Sequence, residues 1–165
     1  MSLQSPIPIL GLFEAHLCVS DLDLAIRFYG SQLGLPLARV VRERKVAFFW
    51  IGAPRKAMLG LWKTATISDS TSAHLAFEVA LADLHAAPSR LRNAGITPLD
   101  FAGAPTEEPV VLAWMPAASV YFRDPDNNLL EFISILQVPA RPDLEVLAWS
   151  EWIRVTRQGW RLRFH

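Results

Sequence analysis

The chain is poor in cysteine: Cys18 is the single one in 165 residues. A disulfide framework within the chain is thereby excluded, and a reducing compartment fits. There is no surplus of charge either, since sixteen Lys and Arg balance sixteen Asp and Glu. The bulk charge therefore offers no electrostatic footprint for nucleic acid. Long apolar runs are missing as well; the densest, "VVLAWMPAASVYF", is short and contains Pro116, so no membrane span is expected. The opening "MSLQSPIPILGLFEAHL" has no Lys or Arg ahead of its apolar part, which argues against a signal peptide. A cytoplasmic protein with no nucleic-acid or membrane partner is the expectation. What is present, 52% hydrophobic and 10% aromatic residues, is the composition of an ordered globular chain, long enough for one domain or two small modules.

Periodicity supplies the elements. Residues 9–20 alternate as a strand that places Glu14, His16 and Cys18 on one face. Ser20 is the expected N-cap of a helix with Leu22, Ala25, Ile26 and Tyr29 at helical spacing and Gly34 as its stop. Three strands follow, over residues 35–42, 46–52 and 56–63, with a turn at Gly52–Pro54 between the last two. After the polar stretch "TATISDSTS" the pattern restarts. Residues 72–80 read as a strand and 82–94 as helical, with Gly95 as the stop; Pro88 either kinks this helix or moves its start to near Ala87. Residues 96–101 read as a strand and 102–118 as a long Pro-rich connection with extended pieces. Residues 119–124 and 128–136 form a hairpin around Asp124-Pro125-Asp126-Asn127-Asn128, where Asn suits a left-handed turn position.

The order strand, helix, three strands thus occurs twice. "HLCVSDLDLAIRFYGSQLGL" aligns with "HLAFEVALADLHAAPSRLRNAGI", each opening on His-Leu, carrying an Asp-Leu and reaching a Gly. An internal repeat fixes architecture more firmly than any single element. The expected organisation is a first βαβββ module at 1–64, a linker at 65–71, a second module at 72–136 and a C-terminal extension at 137–165. The extension carries Trp149, Trp152 and Trp160, with a helix expected near 143–157, and reads as a cover for exposed sheet or a partner surface.

One residue conflicts with its surroundings. Glu131 sits in "NLLEFISIL", a run that otherwise reads as a buried strand. An unpaired buried carboxylate costs several kcal/mol, so Glu131 requires a cation, a metal or a watery cleft. His16 and His74 head the first strands of the two halves. Two imidazoles and a carboxylate on neighbouring strands suit a divalent metal with positions left open for substrate. The alternatives are ordinary strand histidines bonded to backbone, and Glu131 paired with Arg123 or Lys63. Strand alternation places Ser119, Tyr121 and Arg123 on one face; Tyr121 is either a hydrogen-bond donor to a metal-bound oxygen or a core tyrosine reaching backbone. Cys18 shares the face of His16 and is either a pocket residue or a small hydrophobe. Phe49, Trp50, Met58 and Trp62 are either an apolar pocket wall or core, Glu14 is a candidate supporting group for His16, and His85 is expected to be solvated.

With its paired βαβββ modules, His16, His74 and "VYFRDPDNNLLEFI", the chain resembles the vicinal oxygen chelate superfamily over residues 9–136. That group includes glyoxalase I, the fosfomycin and bleomycin resistance proteins and the extradiol dioxygenases. The resemblance implies an α+β fold of two modules forming a curved mixed sheet around a cleft, commonly in a homodimer. It also implies one divalent metal ion (Fe, Mn, Ni, Co or Zn) on His16, His74 and Glu131, with Tyr121 as a catalytic group. Substrate contacts would come from Cys18, Ser119, Arg123, Trp50 and Trp62. Glyoxalase I usually carries a second carboxylate on the last strand of its first module, whereas "KAMLGLWK" has none. Extradiol dioxygenases use a further active-site histidine, and only His85 and His165 remain here. The fosfomycin resistance transferases have three protein ligands and a Ser and Tyr matching Ser119 and Tyr121, with a threonine where Cys18 stands. The expected function is a metal-dependent glyoxalase-like enzyme acting on a small substrate that chelates the metal through adjacent oxygens. The alternative is a metal-free small-molecule binding protein of the bleomycin-resistance kind.

Overall fold

The computed structural model describes residues 11–64 and 73–161, with side chains to residue 156. Residues 9 and 10 of the expected first strand, the linker at 65–71 and His165 lie outside the described residues. The chain divides into two compact units, Met1–Thr71 and Ser72–His165.

The first unit contains β1 (Glu14–Val19), α1 (Leu22–Arg27), β2 (Leu37–Val41), β3 (Val46–Ile51) and β4 (Ala57–Lys63). The strands form one sheet in the order β1-β4-β3-β2, with β1 parallel to β4 and the other pairs antiparallel. Along β1 the alternation is clear: Leu17 and Val19 are buried, while Glu14, His16 and Cys18 are exposed on the opposite face. The buried side packs with Ala25, Phe28, Tyr29 and Phe49 into the core. Phe49 therefore belongs to the core and contacts Tyr29; the expected wall of the open face is built with Phe48 instead. The helix cap differs from expectation too. Asp21, not Ser20, is the N-cap: it is extended, and its Oδ1 accepts the Leu24 N–H at 2.9 Å. That bond is the main cause holding the Asp21 carboxyl below its ordinary range. After α1 the chain widens into a single π turn, Phe28–Gln32, which buries Phe28 and Tyr29 side by side, and Gly34 at φ 74° ends it.

The second unit contains β5 (His74–Glu78), α2 (Leu81–Asn93), β6 (Val110–Leu112), β7 (Ala117–Arg123), β8 (Leu129–Ile135), β9 (Val146–Ala148) and α3 (Trp149–Arg161). Its sheet runs β5-β8-β7-β6-β9, so its first four strands repeat the order of the first unit. Pro88 lies inside α2 and does not mark its start. A mid-helix proline forfeits one backbone bond and costs ~3 kcal/mol, and here its ring is buried beside Leu84, Ala87 and Leu91 against the sheet, which offsets that loss. The expected strand at 96–101 is reduced to isolated bridges from Leu99 to Pro105 and Tyr121. The cause is Asp100, whose carboxylate accepts the N–H groups of Ala102 and Ala104 and curls the chain into a turn with Gly103 at φ 83°.

The C-terminal extension is part of the fold. Its β9 adds an antiparallel fifth strand to β6. Its helix starts at Trp149, later than expected, because Glu108 supplies the cap: the Ser150 N–H and Oγ–H both donate to its carboxylate at 2.8 Å. Trp152 is buried, and Trp149 meets the ring of His85 edge-on at 4.4 Å, so His85 is exposed but not merely solvated. No helix among the described residues is long and apolar enough to cross a membrane.

Candidate metal centre

In the second unit, β7–β8 pairing sets Tyr121 opposite Glu131, and β5–β8 pairing sets Ala76 opposite Glu131. His74, two residues before Ala76, shares its face by strand alternation. The result is a polar cluster on an apolar sheet. Glu131 is only 3% exposed. Its Oε1 accepts the Ser119 hydroxyl at 2.5 Å, and its Oε2 lies 2.9 Å from His74 Nε2. Ser119 is fully buried, whereas the His74 side chain is 51% exposed, so the imidazole is the cluster's opening to solvent. Burial, and after it the negative charge of Glu131, push the Tyr121 hydroxyl up to about 12, against a smaller opposing effect of Ser119. Its ring packs between His74 and Phe101, at 6.1 and 6.2 Å between centroids.

The turn that follows β7 positions the histidine. Asp124 accepts the N–H groups of Asp126 and Asn128 on one carboxylate oxygen and the Asn128 amide on the other. Asn127 takes the left-handed conformation at φ 66°. The buried Asn128 then accepts the Ala73 N–H on its Oδ1, and the Leu129 N–H donates to the Ala73 carbonyl. The start of β5 is thereby tied to the hairpin that carries Glu131, with His74 as the next residue. Sequence reasoning placed this turn but missed the role of Asn128; its signal was a second Asn directly after the left-handed one.

Arg123 does not pair with Glu131. It is exposed and donates to the Asn127 carbonyl at 2.9 Å.

The first unit arranges His16 differently. Its Nδ1 accepts the indole N–H of Trp62 at 3.0 Å, and its Nε2 lies 3.0 Å from Glu14 Oε1. The ring lies over Gly60: a Cβ there would come within 2.7 Å of His16 Cδ2 and 3.3 Å of Phe48 Cε1. A glycine inside a strand signals such a close approach. Phe48 and Trp62 meet edge to face at 6.5 Å, and the Arg44 guanidinium lies 4.8 Å above the Trp62 ring. Trp50 and Met58 are half-buried partners across β3 and β4, and Cys18 is an exposed residue opposite Trp62.

The candidate ligands thus appear as pairs, His74 with Glu131 in one unit and His16 with Glu14 in the other. Among the described residues no group of three or more His, Cys, Asp or Glu is placed to hold a metal ion. The donor chemistry of the second unit's pair still fits a divalent ion: an imidazole nitrogen and a carboxylate oxygen sit side by side on rigid strands, with the imidazole open to solvent. His16 fits less well as found, since both of its nitrogens are engaged.

Comparison with solved structures supports the fold. An integron cassette protein from the mobile metagenome of the Halifax Harbour sewage outfall superposes with a TM-score of 0.67 at 28% identity, covering 77% of this chain and 100% of that one. A glyoxalase/bleomycin resistance protein/dioxygenase from Nocardioides gives 0.60 at 21%, covering 84% and 91%. Lactoylglutathione lyase from Agrobacterium tumefaciens gives 0.59 at 24%, covering 77% and 95%. No curated protein matches the sequence. The family model of the Glyoxalase/Bleomycin resistance protein/Dioxygenase superfamily matches residues 11–132, which span both βαβββ repeats, and the chain belongs to that superfamily.

Proposed function

We propose that the protein is a metal-dependent enzyme acting on a small substrate that chelates one divalent ion through adjacent oxygens. His74 and Glu131 would hold the ion together with His16. The observation that carries this reading is the buried Glu131 carboxylate, anchored by Ser119 on one oxygen and offered on the other to a half-exposed imidazole. When bound, a divalent ion supplies a Lewis acid that polarises the substrate's oxygens. The chain's own groups do the rest. Ser119 fixes one carboxylate oxygen so that Glu131 has one direction left to act in. Tyr121 keeps its proton throughout the neutral range; its hydroxyl, hydrogen-bonded within the Ser119–Glu131 cluster, would turn to donate to developing negative charge on a bound substrate. Cys18, Trp50 and Trp62 on the open face of the first unit, and the exposed Arg123, are the proposed substrate contacts.

Binding of Mn, Fe(II), Co, Ni and Zn measured by calorimetry, beside metal analysis of the protein as purified, tests the proposal. One ion per chain, lost in His74→Ala and Glu131→Gln, is expected. A folded parent that takes up none of these ions contradicts it. The engaged nitrogens of His16 and the aromatic surface of Phe48, Trp50 and Trp62 favour a second reading, a metal-free binder of small molecules, which that negative result would put first. We also propose a cytoplasmic homodimer, expected to sediment as two chains at micromolar concentration; a monomer that still binds the ion would contradict the dimer.

A further inference from the structure

We propose that Trp62 is a positioning residue that locks His16 in the tautomer carrying its proton on Nε2, so that His16 becomes a metal ligand only when the indole lets go. The affinity part of this inference rests on the function proposed above; the tautomer part does not.

The register of the two sheets shows what Trp62 replaces. His16 in β1 and His74 in β5 occupy equivalent positions, and two residues on from each, Cys18 faces Trp62 while Ala76 faces Glu131. Trp62 therefore occupies, in the first unit, the position that Glu131 holds in the second. Each side chain reaches back to its histidine, Trp62 Nε1 at 3.0 Å from His16 Nδ1 and Glu131 Oε2 at 2.9 Å from His74 Nε2. The two contacts are chemically opposite. A carboxylate accepts hydrogen bonds, and an indole N–H can only donate. Donation by Trp62 obliges Nδ1 to be the unprotonated nitrogen. The proton of the neutral ring then sits on Nε2, where Glu14 Oε1 accepts it at 3.0 Å. Neither nitrogen has a free lone pair: one is covered by the indole and the other carries hydrogen. A metal bound through Nε2 would require the proton to move to Nδ1, and there it would meet the indole N–H head-on.

Three features hold the indole in place. Gly60 leaves room for the imidazole beneath it, Phe48 packs edge-on against both rings, and Arg44 stacks on the indole at 4.8 Å. None of them obstructs the indole N–H. Trp62→Phe should preserve the stacking and remove only the donor. Glu14→Ala should leave the lock intact, since the indole by itself obliges Nδ1 to be the unprotonated nitrogen.

The experiment is nitrogen-15 NMR of the metal-free protein at a pH of about 8, above the ordinary imidazole range. The parent is expected to show His16 with Nδ1 unprotonated and a shifted indole N–H for Trp62. Trp62→Phe combined with Glu14→Ala is expected to release His16 into a mixture of tautomers, and Glu14→Ala alone to leave it on Nε2. A parent with the proton on Nδ1, or a Glu14→Ala variant whose tautomer changes, would overturn the inference whether or not metal binds. In calorimetry with Mn or Zn, Trp62→Phe should bind about fivefold to tenfold more tightly than the parent, the effect of removing one competing hydrogen bond. Unchanged affinity alongside a released tautomer would show that His16 is not a ligand, which overturns the coupling to metal while leaving His74 and Glu131 to be judged separately.

Discussion

His16 in β1 and His74 in β5 stand at equivalent positions of two sheets whose first four strands share one order, yet their surroundings have diverged. In the second unit the neighbouring positions hold Glu131 and Tyr121, a buried carboxylate and a phenol. The first unit places Trp62 and Val46 there by the same register, an indole and an aliphatic side chain. The backbone repeats between the halves, and the face that carries the histidine is acidic and polar in one and aromatic in the other. Strand order follows from the buried face of each sheet, where both halves carry the same kind of apolar residue. The opposite face is free of that demand and can differ. Chemistry therefore belongs to the face opposite the shared apolar core.

The largest expected effects lie where the halves agree. Leu61 and Leu130 are equivalent, fully buried strand residues opposite Leu17 and Leu75. Either one changed to Ala should cost about 2–5 kcal/mol in denaturant unfolding, with no distinction between the halves. A loss below ~1 kcal/mol at either site would break the equivalence.

Next come the polar supports of the second half, which have no counterpart in the first. Ser119→Ala strips a donor from a buried carboxylate, and Asn128→Ala leaves the Ala73 N–H without its partner. Each should cost about 1–3 kcal/mol. Asn128→Ala should also loosen the start of β5, read as faster amide exchange at residues 73 and 74. Unaltered exchange there would show that the turn does not position His74.

A pH effect follows from Tyr121. Its folded pKa, about 12, lies above its ordinary 10.0, so the folded state favours the protonated phenol. This contribution to stability is complete below pH 10 and disappears as pH rises to 12. Ultraviolet titration should show Tyr121 ionising late, and Tyr121→Phe should flatten the stability profile in that window. Ionisation at the ordinary value would contradict the burial and the charge of Glu131 as found.

The smallest effect is Arg44→Ala. Its guanidinium stacks on Trp62 at an exposed site, an interaction of about 0.5–1 kcal/mol. The change should move the melting temperature slightly and alter the fluorescence of Trp62.

Much of this was legible in the sequence, for identifiable reasons. Alternation in "EAHLCV" grouped Glu14, His16 and Cys18 on one face, because a strand with one buried face must alternate; the structure makes that face the exposed one and buries Leu17 and Val19. The conflict around Glu131 pointed to the cluster, since a carboxylate in an apolar strand must be paired. What stayed hidden depended on contacts between strands. Nothing local to "LGLWK" tells that Trp62 donates to His16, or that Gly60 makes room for the ring. Residues 96–101 read as a strand from their apolar content, and nothing in the stretch itself shows that the Asp100 side chain curls the chain into a turn. Pro88 left two readings, a kink or a helix start near Ala87, and burial against the sheet carries the helix through it. The fifth strand escaped notice because "VLA" is too short to show a period.

The central claim is that the second half's buried carboxylate serves a metal and not merely a histidine. Thermal melting of the parent and Glu131→Gln, with chelator and with saturating Mn or Zn, tests it most directly. A ligand role predicts a large metal-induced rise in the parent and a small one in the variant, whose neutral amide is a weaker donor of nearly the same volume. Without metal the variant should keep its fold, and could match or exceed the parent. A structural ion pair predicts the reverse: metal leaves the parent's melting unchanged, while Glu131→Gln melts far lower under every condition. That second pattern would contradict the account.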